Sequence, residues 1–420
     1  MHAEILPELQ ATARGVRAQA ILGQCVHCGF CNATCPTYQL LGDELDGPRG
    51  RIYQMKSLLE GALVANADGD NIDSGDAMRK HLDRCLSCRN CEVTCPSGVR
   101  YGALLEIGQA VLEEKFPRPF AARWRRRLFA RAVSSRRVFA ATLRIGRWSR
   151  SILPRALAQR VADAPTTRLA WPPARHSRRM IALAGCVQPS LAPNTNAAAA
   201  QVLDRLGISL REIDNHCCGA VQLHAGGDAH CTVRGRAAAR ALVDRCAAHL
   251  DRGAEAMVMT ASGCGLTVKE YPALFADQDS DYRDKARRVS EHTFDLAEVI
   301  ARELPRDYAS SAQPPIVPRK VAFHAPCTLQ HGQRVNGAVE EILTRVGHEV
   351  RAVADAHQCC GSAGAYSIWQ PRIASQLRVA KQDALAAAGA EVVCTANVGC
   401  QAHLSIGARA PVAHWIELLL

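Results

Sequence analysis

Aromatic residues are scarce in this 420-residue chain: Phe, Trp and Tyr together make up 5%. Its cores must be built mainly from Ala, Val, Leu and Ile, and a hydrophobic content of 48% excludes wholesale disorder. No stretch approaches the ~18–20 uninterrupted apolar residues that a membrane-crossing helix needs. The first ten residues carry Glu4 and Glu8 and lack a basic region followed by an apolar run. No export signal is therefore expected, and the expected location is the cytoplasm. In that reducing compartment thiols serve metals or catalysis rather than disulfides. Gly-x-Gly-x-x-Gly is absent, so the chain shows no nucleotide or flavin fingerprint and no evident means of accepting a hydride. No residue is assigned a catalytic role.

Acidic residues are missing from one long stretch. Between 116 and 162 there are thirteen arginines and no Asp or Glu. Elsewhere basic and acidic residues nearly balance, so the formal charge of +11 belongs to this segment. Trp124, Leu128, Phe129, Val133, Phe139, Leu143, Trp148 and Ile152 interleave with the arginines. Arginines suit anionic headgroups, and Trp and Phe suit the acyl boundary. One reading is thus a peripheral contact with the inner face of the cell membrane. The other is docking on an acidic partner surface. No recognition module accompanies the segment, so no nucleic-acid partner is expected.

Cysteine, by contrast, is abundant: there are nineteen, an odd number that argues against a closed disulfide framework. Eight fall in two like runs. Cys25, Cys28, Cys31 and Cys35 precede Pro36; Cys85, Cys88, Cys91 and Cys95 precede Pro96. Both match the run of two-cluster ferredoxins. Two-residue spacers let three thiolates converge on one cube. The fourth cysteine follows a longer spacer, faces the other way and caps the partner cube. The expectation is one [4Fe–4S] cluster on Cys25, Cys28, Cys31 and Cys95, and a second on Cys85, Cys88, Cys91 and Cys35. A zinc site needs two ligand pairs from separate knuckles and does not explain this pattern occurring twice. Ile52, Met55, Leu58 and Leu59 recur at helical spacing, which predicts a helix over 51–63. Arg49 and Arg51 at its start read either as donors to cluster sulfides or as ordinary helix-start residues.

Residues 176–308 and 319–420 read as two copies of one unit. Each opens on an apolar run ending in a cysteine, Cys186 or Cys327. Gaps of 31 and 32 residues lead to Cys217-Cys218-Gly219 and Cys359-Cys360-Gly361. A helical stretch follows (234–250 and 371–388), then a second apolar strand (256–260 and 391–395), then Cys264 or Cys400. Strand–helix–strand alternation predicts small α/β domains with parallel sheets. The cysteines fall where strands give way to loops, the usual place for ligands in such folds. Each unit offers four thiols: Cys186, Cys217, Cys218 and Cys264, then Cys327, Cys359, Cys360 and Cys400. They read as a further iron–sulfur cluster, a zinc site, or a relict set of buried thiols. Cys231, Cys246 and Cys394 lie off the pattern and read as core cysteines. His224, His324 and His331 lie near the motifs, and the plainer reading of each as a loop or core histidine is favoured over ligation.

The predicted organisation is multidomain. A helical ferredoxin-like domain (1–115) precedes an Arg-rich amphipathic linker (116–175). Two α/β cysteine-rich domains (176–308 and 319–420) follow, joined by a Ser/Pro-rich connector.

Taken together, these motifs resemble the iron–sulfur subunit family of glycolate oxidase (glycolate dehydrogenase). The similarity lies in the ferredoxin pair, in Gly47-Pro48-Arg49-Gly50-Arg51-Ile52 and in the two Cys-Cys-Gly units. It continues through Thr395-Ala396-Asn397-Val398-Gly399-Cys400 and His414-Trp415-Ile416-Glu417, so that it covers essentially the whole chain. The ferredoxin and Cys-Cys-Gly motifs are shared with the small subunit of anaerobic glycerol-3-phosphate dehydrogenase and with heterodisulfide reductase; the C-terminal stretch favours the glycolate family. In the heterodisulfide reductase relatives each unit ends in Cys-x-x-Cys. Here Ala261 and Asn397 stand at the first position of that pair, which speaks against a thiol–disulfide reductase. The resemblance implies an electron-transfer subunit of an oxidoreductase acting on CH–OH donors. Its partners would be flavin-bearing subunits that oxidise glycolate to glyoxylate, with electrons passed on towards a quinone or another acceptor.

Overall fold

Helical spacing of apolar side chains organises the N-terminal region. The structure, a computed structural model, describes residues 1–62, 72–154, 158–159, 161–163, 167–213, 217–225, 228–308 and 316–420. Most of the expected 309–318 connector, and residue 63 of the expected 51–63 helix, lie outside the described residues. That helix runs Pro48–Leu59 and begins on a proline, whose missing N–H costs nothing in the first turn. Its Met55, Leu58 and Leu59 meet Leu22, Leu82, Leu104 and Leu105 in one buried core.

Beneath this core lies a buried ionic knot. Asp46 is fully buried and pairs with Arg84 at 2.6 Å, His81 Nδ1 at 3.0 Å and Arg51 at 3.4 Å. Arg51 also donates to Thr37 Oγ1 at 3.1 Å and to the His81 carbonyl at 2.9 Å. The knot ties the Pro48–Leu59 helix to the Ile72–Asp83 helix, which leads into the second cysteine run.

The two cysteine-rich units have the same topology. Strands β1 (Arg178–Leu183), β2 (Ile208–Ile213), β3 (Met257–Met259) and β4 (Thr293–Asp295) form a parallel sheet of order β2-β1-β3-β4. Strands β5 (Lys320–His324), β6 (Glu349–Arg351), β7 (Val392–Thr395) and β8 (Val412–His414) repeat it as β6-β5-β7-β8, again parallel. The predicted α/β repeat is therefore present. Ala182, Leu203, Val258 and Ile300 of the first unit share one core with Val321, Phe323, Leu343 and Trp415 of the second. Strand β8 adds a bond across the join, His414 Nε2 to the Thr260 carbonyl at 2.9 Å.

The Arg-rich segment packs against the domains on either side of it. It folds as two helices, Phe120–Ser134 and Arg136–Trp148, with Ser135 capping the second. Many of its arginines face acids of the flanking domains. Arg118 pairs with Asp83 and Glu113, Arg126 with Asp83, and Arg127 with Asp228 at 2.6 Å. Arg136 lies 3.9 Å from Glu212. Phe129 packs edge-on to Trp369 of the second unit at 5.4 Å between centroids. The segment is thus a strap across the domains, held by acids distant in sequence. Its outer face keeps Phe120, Trp124, Leu128, Ile145, Trp148 and Ile152 exposed, Trp148 at 86%. No described helix is long and apolar enough to cross a membrane.

Removing Asp46 leaves Arg51 buried with its main anion gone. Asp46→Ala is expected to cost about 3–5 kcal/mol of stability, read as a lowered thermal midpoint of the anaerobically purified chain. A melt unchanged from wild type would show that the knot is dispensable.

Candidate metal centres

The two ferredoxin-like cysteine runs follow matched backbone paths. His27 and Ser87 take left-handed conformations (φ 56° and 51°), as do Gly29 and Arg89 (φ 86° and 60°). Each path enters a short helix, Phe30–Ala33 or Asn90–Thr94. The helices lie side by side, with Thr34 and Thr94 hydroxyls 3.0 Å apart and Asn90 Nδ2 donating to the Thr34 carbonyl at 3.0 Å. Crossing at this point swaps the fourth cysteines. Cys25, Cys28 and Cys31 line one pocket with Cys95, about 440 Å³ including its mouth. Cys85, Cys88 and Cys91 line a second with Cys35, about 310 Å³. Cys91 borders both. The structure thus brings together the two thiol sets anticipated from spacing. Sulfur donors in fours suit iron–sulfur ligation and not hard cations.

Burial keeps the thiols of these pockets in their neutral form. Burial pushes the Cys31 thiol up to about 11 and raises Cys85 and Cys91 as well. Metal-free, these groups stay protonated, and a bound metal must displace their protons. The two arginines lie at different depths. Arg49 lines the first pocket, is half-exposed and pairs with Glu44 at 2.7 Å. Arg51 lines the second at 1% exposure. Burial opposes its charge, yet Cys85, Tyr101, Cys35 and Asp46 hold it above the usual guanidinium range. Tyr101 also donates to Cys85 Sγ at 3.6 Å.

In each cysteine-rich unit the Cys-Cys-Gly turn is fixed by its glycine. Gly219 and Gly361 both have φ of 85°. A Cβ on Gly219 would sit 2.6 Å from the Gly235 carbonyl, and one on Gly361 would sit 2.6 Å from the Ala374 carbonyl. The backbone N–H of each glycine points at the first sulfur, Gly219 to Cys217 and Gly361 to Cys359, both at 3.4 Å. In the first unit, hydrogen bonds from the Cys186 and Cys218 thiols hold Cys217 well below the usual thiol range; the same bonds, with burial, push Cys186 and Cys218 up. Cys264 adjoins Cys218, so the set is contiguous. In the second unit Cys360 bridges Cys359 and Cys400. Cys327 packs with Cys359 and with Leu86, and the ferredoxin-like domain's Cys88 lies alongside. The second unit therefore abuts the second pocket. Tyr366 donates to the Arg84 carbonyl at 3.0 Å, and Asn90 to the His357 carbonyl at 3.3 Å.

The three histidines separate on inspection. His224 is exposed, 4.0 Å from Glu106. His331 is buried and bonded to the His357 carbonyl at 2.9 Å. His324, at 1% exposure, shares a space with Cys360 and Cys400, their ligand atoms all within 4.8 Å of one another. Burial pushes it down to about 3, so its imidazole is neutral. Lys381, also buried, stands beside the second thiol set, and no local sequence pattern marks it. Cys231, Cys246 and Cys394 are core residues, as anticipated.

Paired tetrathiol pockets on a helical domain, joined to twin thiol-bearing α/β units, define an iron–sulfur subunit of the kind found in oxidoreductase complexes. The 4Fe-4S dicluster domain family matches residues 21–99, and the cysteine-rich domain family matches 181–269 and 321–405. The glycolate oxidase iron–sulfur subunit of Escherichia coli (strain K12) is 46% identical over all of this chain and 98% of its own length. The probable glycolate oxidase iron–sulfur subunit of Bacillus subtilis (strain 168) is 27% identical over 94% of this chain and 93% of its own. Lactate utilization protein A of Exiguobacterium sp. is 26% identical over 53% of this chain and 86% of its own. The chain belongs to the family of glycolate oxidase iron–sulfur subunits.

Gly361→Ala combines backbone strain with a carbonyl clash. Strain of this kind costs roughly 1–3 kcal/mol, and the clash adds to it. Gly407→Ala, at φ 69° with nothing within 4 Å of its Cβ, carries the strain alone. Denaturation should rank Gly361→Ala as the more damaging; equal losses would mean that the helix behind the turn yields freely.

Proposed function

We propose that this chain is the electron-transfer subunit of a flavin-linked glycolate (2-hydroxyacid) dehydrogenase, relaying electrons from flavin subunits towards a quinone-type acceptor. One observation carries the reading: four thiols converge at each of two adjoining pockets, three from one run and one from the other. In this reading Cys25, Cys28, Cys31 and Cys95 hold one [4Fe–4S] cluster, and Cys85, Cys88, Cys91 and Cys35 the other. Bound there, such clusters supply one-electron storage. The chain's own part is to fix their separation, keep water from the inner faces and hold the Arg51 charge beside the second. The contact of Cys88 with Cys327 supports a path that runs on to the second cysteine-rich unit, whose thiols, like those of the first, are proposed to hold metal. Arg49 is proposed to tune the first pocket as Arg51 does the second.

The test is to purify the native complex, identify its subunits and offer glycolate, lactate and glycerol-3-phosphate as electron donors. Reduction of the clusters by glycolate is expected; reduction by glycerol-3-phosphate alone would assign the chain elsewhere. The crossed ligation predicts that Cys95→Ser damages the cluster of Cys25, Cys28 and Cys31. Iron counting and low-temperature EPR read this out. Selective loss of the Cys85, Cys88 and Cys91 cluster would show that each run is self-contained.

Peripheral membrane contact through 116–162 belongs to the same proposal. Exposed Ile145 and Trp148 share one helical face, with exposed Ile152 in the turn just beyond it, and Phe120, Trp124 and Leu128 share another. Because Arg126, Arg127 and Arg136 are engaged within the chain, the apolar row makes the sharper test. Full burial of a side chain such as Ile152 is worth about 1.5–3 kcal/mol. Replacing Trp148 and Ile152 by Ser should lower binding to phosphatidylglycerol-containing vesicles by roughly tenfold or more. Unchanged vesicle binding together with loss of the partner subunits would identify the strap as a subunit dock.

A further inference from the structure

The two cysteine-rich units share a topology yet differ at two buried positions. Strand β5 ends on His324, three residues before Cys327, whereas β1 ends on Leu183, three residues before Cys186. His324 is 1% exposed, and neither of its ring nitrogens has a hydrogen-bond partner among the described residues. A buried imidazole without a partner is costly, and native cores retain one only where something else satisfies it. Both of the nearest candidate ligand groups are thiols, Cys360 and Cys400.

The second difference lies on the helix behind the Cys-Cys-Gly turn. Gly219 meets the carbonyl of Gly235, and Gly361 meets that of Ala374. Seven residues further along these helices stand Leu242 and Lys381, both buried. Lys381 Nζ donates to the Asp355 carbonyl at 2.6 Å; burial pulls its ammonium down from the usual range, and the neighbouring Cys327, Cys359 and Cys360 oppose that pull. The first unit has hydrocarbon at both places, and the second has a nitrogen donor and a cation.

We propose that the second unit holds a borderline transition-metal ion, zinc or iron, with His324 as a nitrogen ligand beside the thiolates of Cys360 and Cys400. This rests on the reading of that unit as a metal site and adds to it a ligand that no cysteine pattern contains. Zinc or iron takes imidazole and thiolate together, and bond lengths of about 2.0–2.3 Å close three such atoms around one ion with small side-chain shifts. Cys359, adjoining Cys360, is the nearest fourth thiol. Three thiolates on a divalent ion leave one negative charge, and Lys381 offsets it. Cys327 is then left on the side of Cys88, between this ion and the second ferredoxin-like pocket. Leu183 leaves the first unit without a counterpart to His324.

The experiment uses the full chain, purified anaerobically, as wild type, His324→Leu, His324→Cys and, for the first unit, Cys264→Ser. Metal content is measured, and EPR of the ferredoxin-type clusters reports folding. His324→Leu should lose one metal equivalent per chain that His324→Cys keeps, with the EPR signals retained. On wild type, X-ray absorption at the zinc edge should show one imidazole among sulfurs; if the extra metal is iron, pulsed EPR of ¹⁵N-histidine-labelled protein should show the nitrogen coupling. These wild-type measurements decide the matter should His324→Leu fail to fold. Wild type with no metal beyond the ferredoxin irons would overturn the metal reading itself. Metal present and unchanged in His324→Leu, or a shell of sulfur alone, would overturn the role of His324 and leave the metal reading standing.

Discussion

Sulfur atoms from chain segments seventy residues apart meet in the same pocket, Cys95 with Cys25. Most of the N-terminal architecture answers to that constraint. The short helices Phe30–Ala33 and Asn90–Thr94 must lie side by side, or the fourth cysteines cannot cross. Helices Pro48–Leu59 and Tyr101–Lys115 must pack to hold the runs in register. The Asp46 knot anchors the chain just before the second run. A buried anion among cations is weak evidence for stability by itself. Its value here is positional, since Arg51 touches both the knot and the wall of the second pocket.

The cysteine-rich units obey a different constraint. Each needs an αL glycine wedged against a helix carbonyl so that two adjacent sulfurs face inward. Meeting that demand twice, on twin sheets that share one core, couples the units mechanically. Chemically they are unequal. One thiol set lies near the strap and the other against the ferredoxin-like domain, so duplication supplied the scaffold while the surroundings diverged.

Much of this was legible in the sequence because ligand spacing is a local property. The two ferredoxin-like runs, the Cys-Cys-Gly repeats and the alternation of strand and helix all show within short windows. The features with no local signal depend on distant partners. The strap arginines look like free charge until Asp83, Asp228 and Glu212 arrive from other domains. Phe129 fits an amphipathic face by spacing, yet it packs on Trp369, more than two hundred residues away. His324 resembles any core histidine at the end of a strand; only the full packing reveals that nothing among the described residues hydrogen-bonds to it. Its one sequence signal was the mismatch with Leu183 when the repeats are laid over each other.

The contact between Cys88 and Cys327 also has a consequence in time. The residues that pack on Cys88, at the wall of the second pocket, are made more than two hundred positions after the pocket's own cysteines. At roughly 5–20 residues per second, the nascent pocket stands without that neighbour for some tens of seconds on the ribosome. That interval is a window in which iron and sulfide donors have open access to the thiols, and so do oxidants. The arrival of the last unit ends that interval by seating Cys327 beside Cys88.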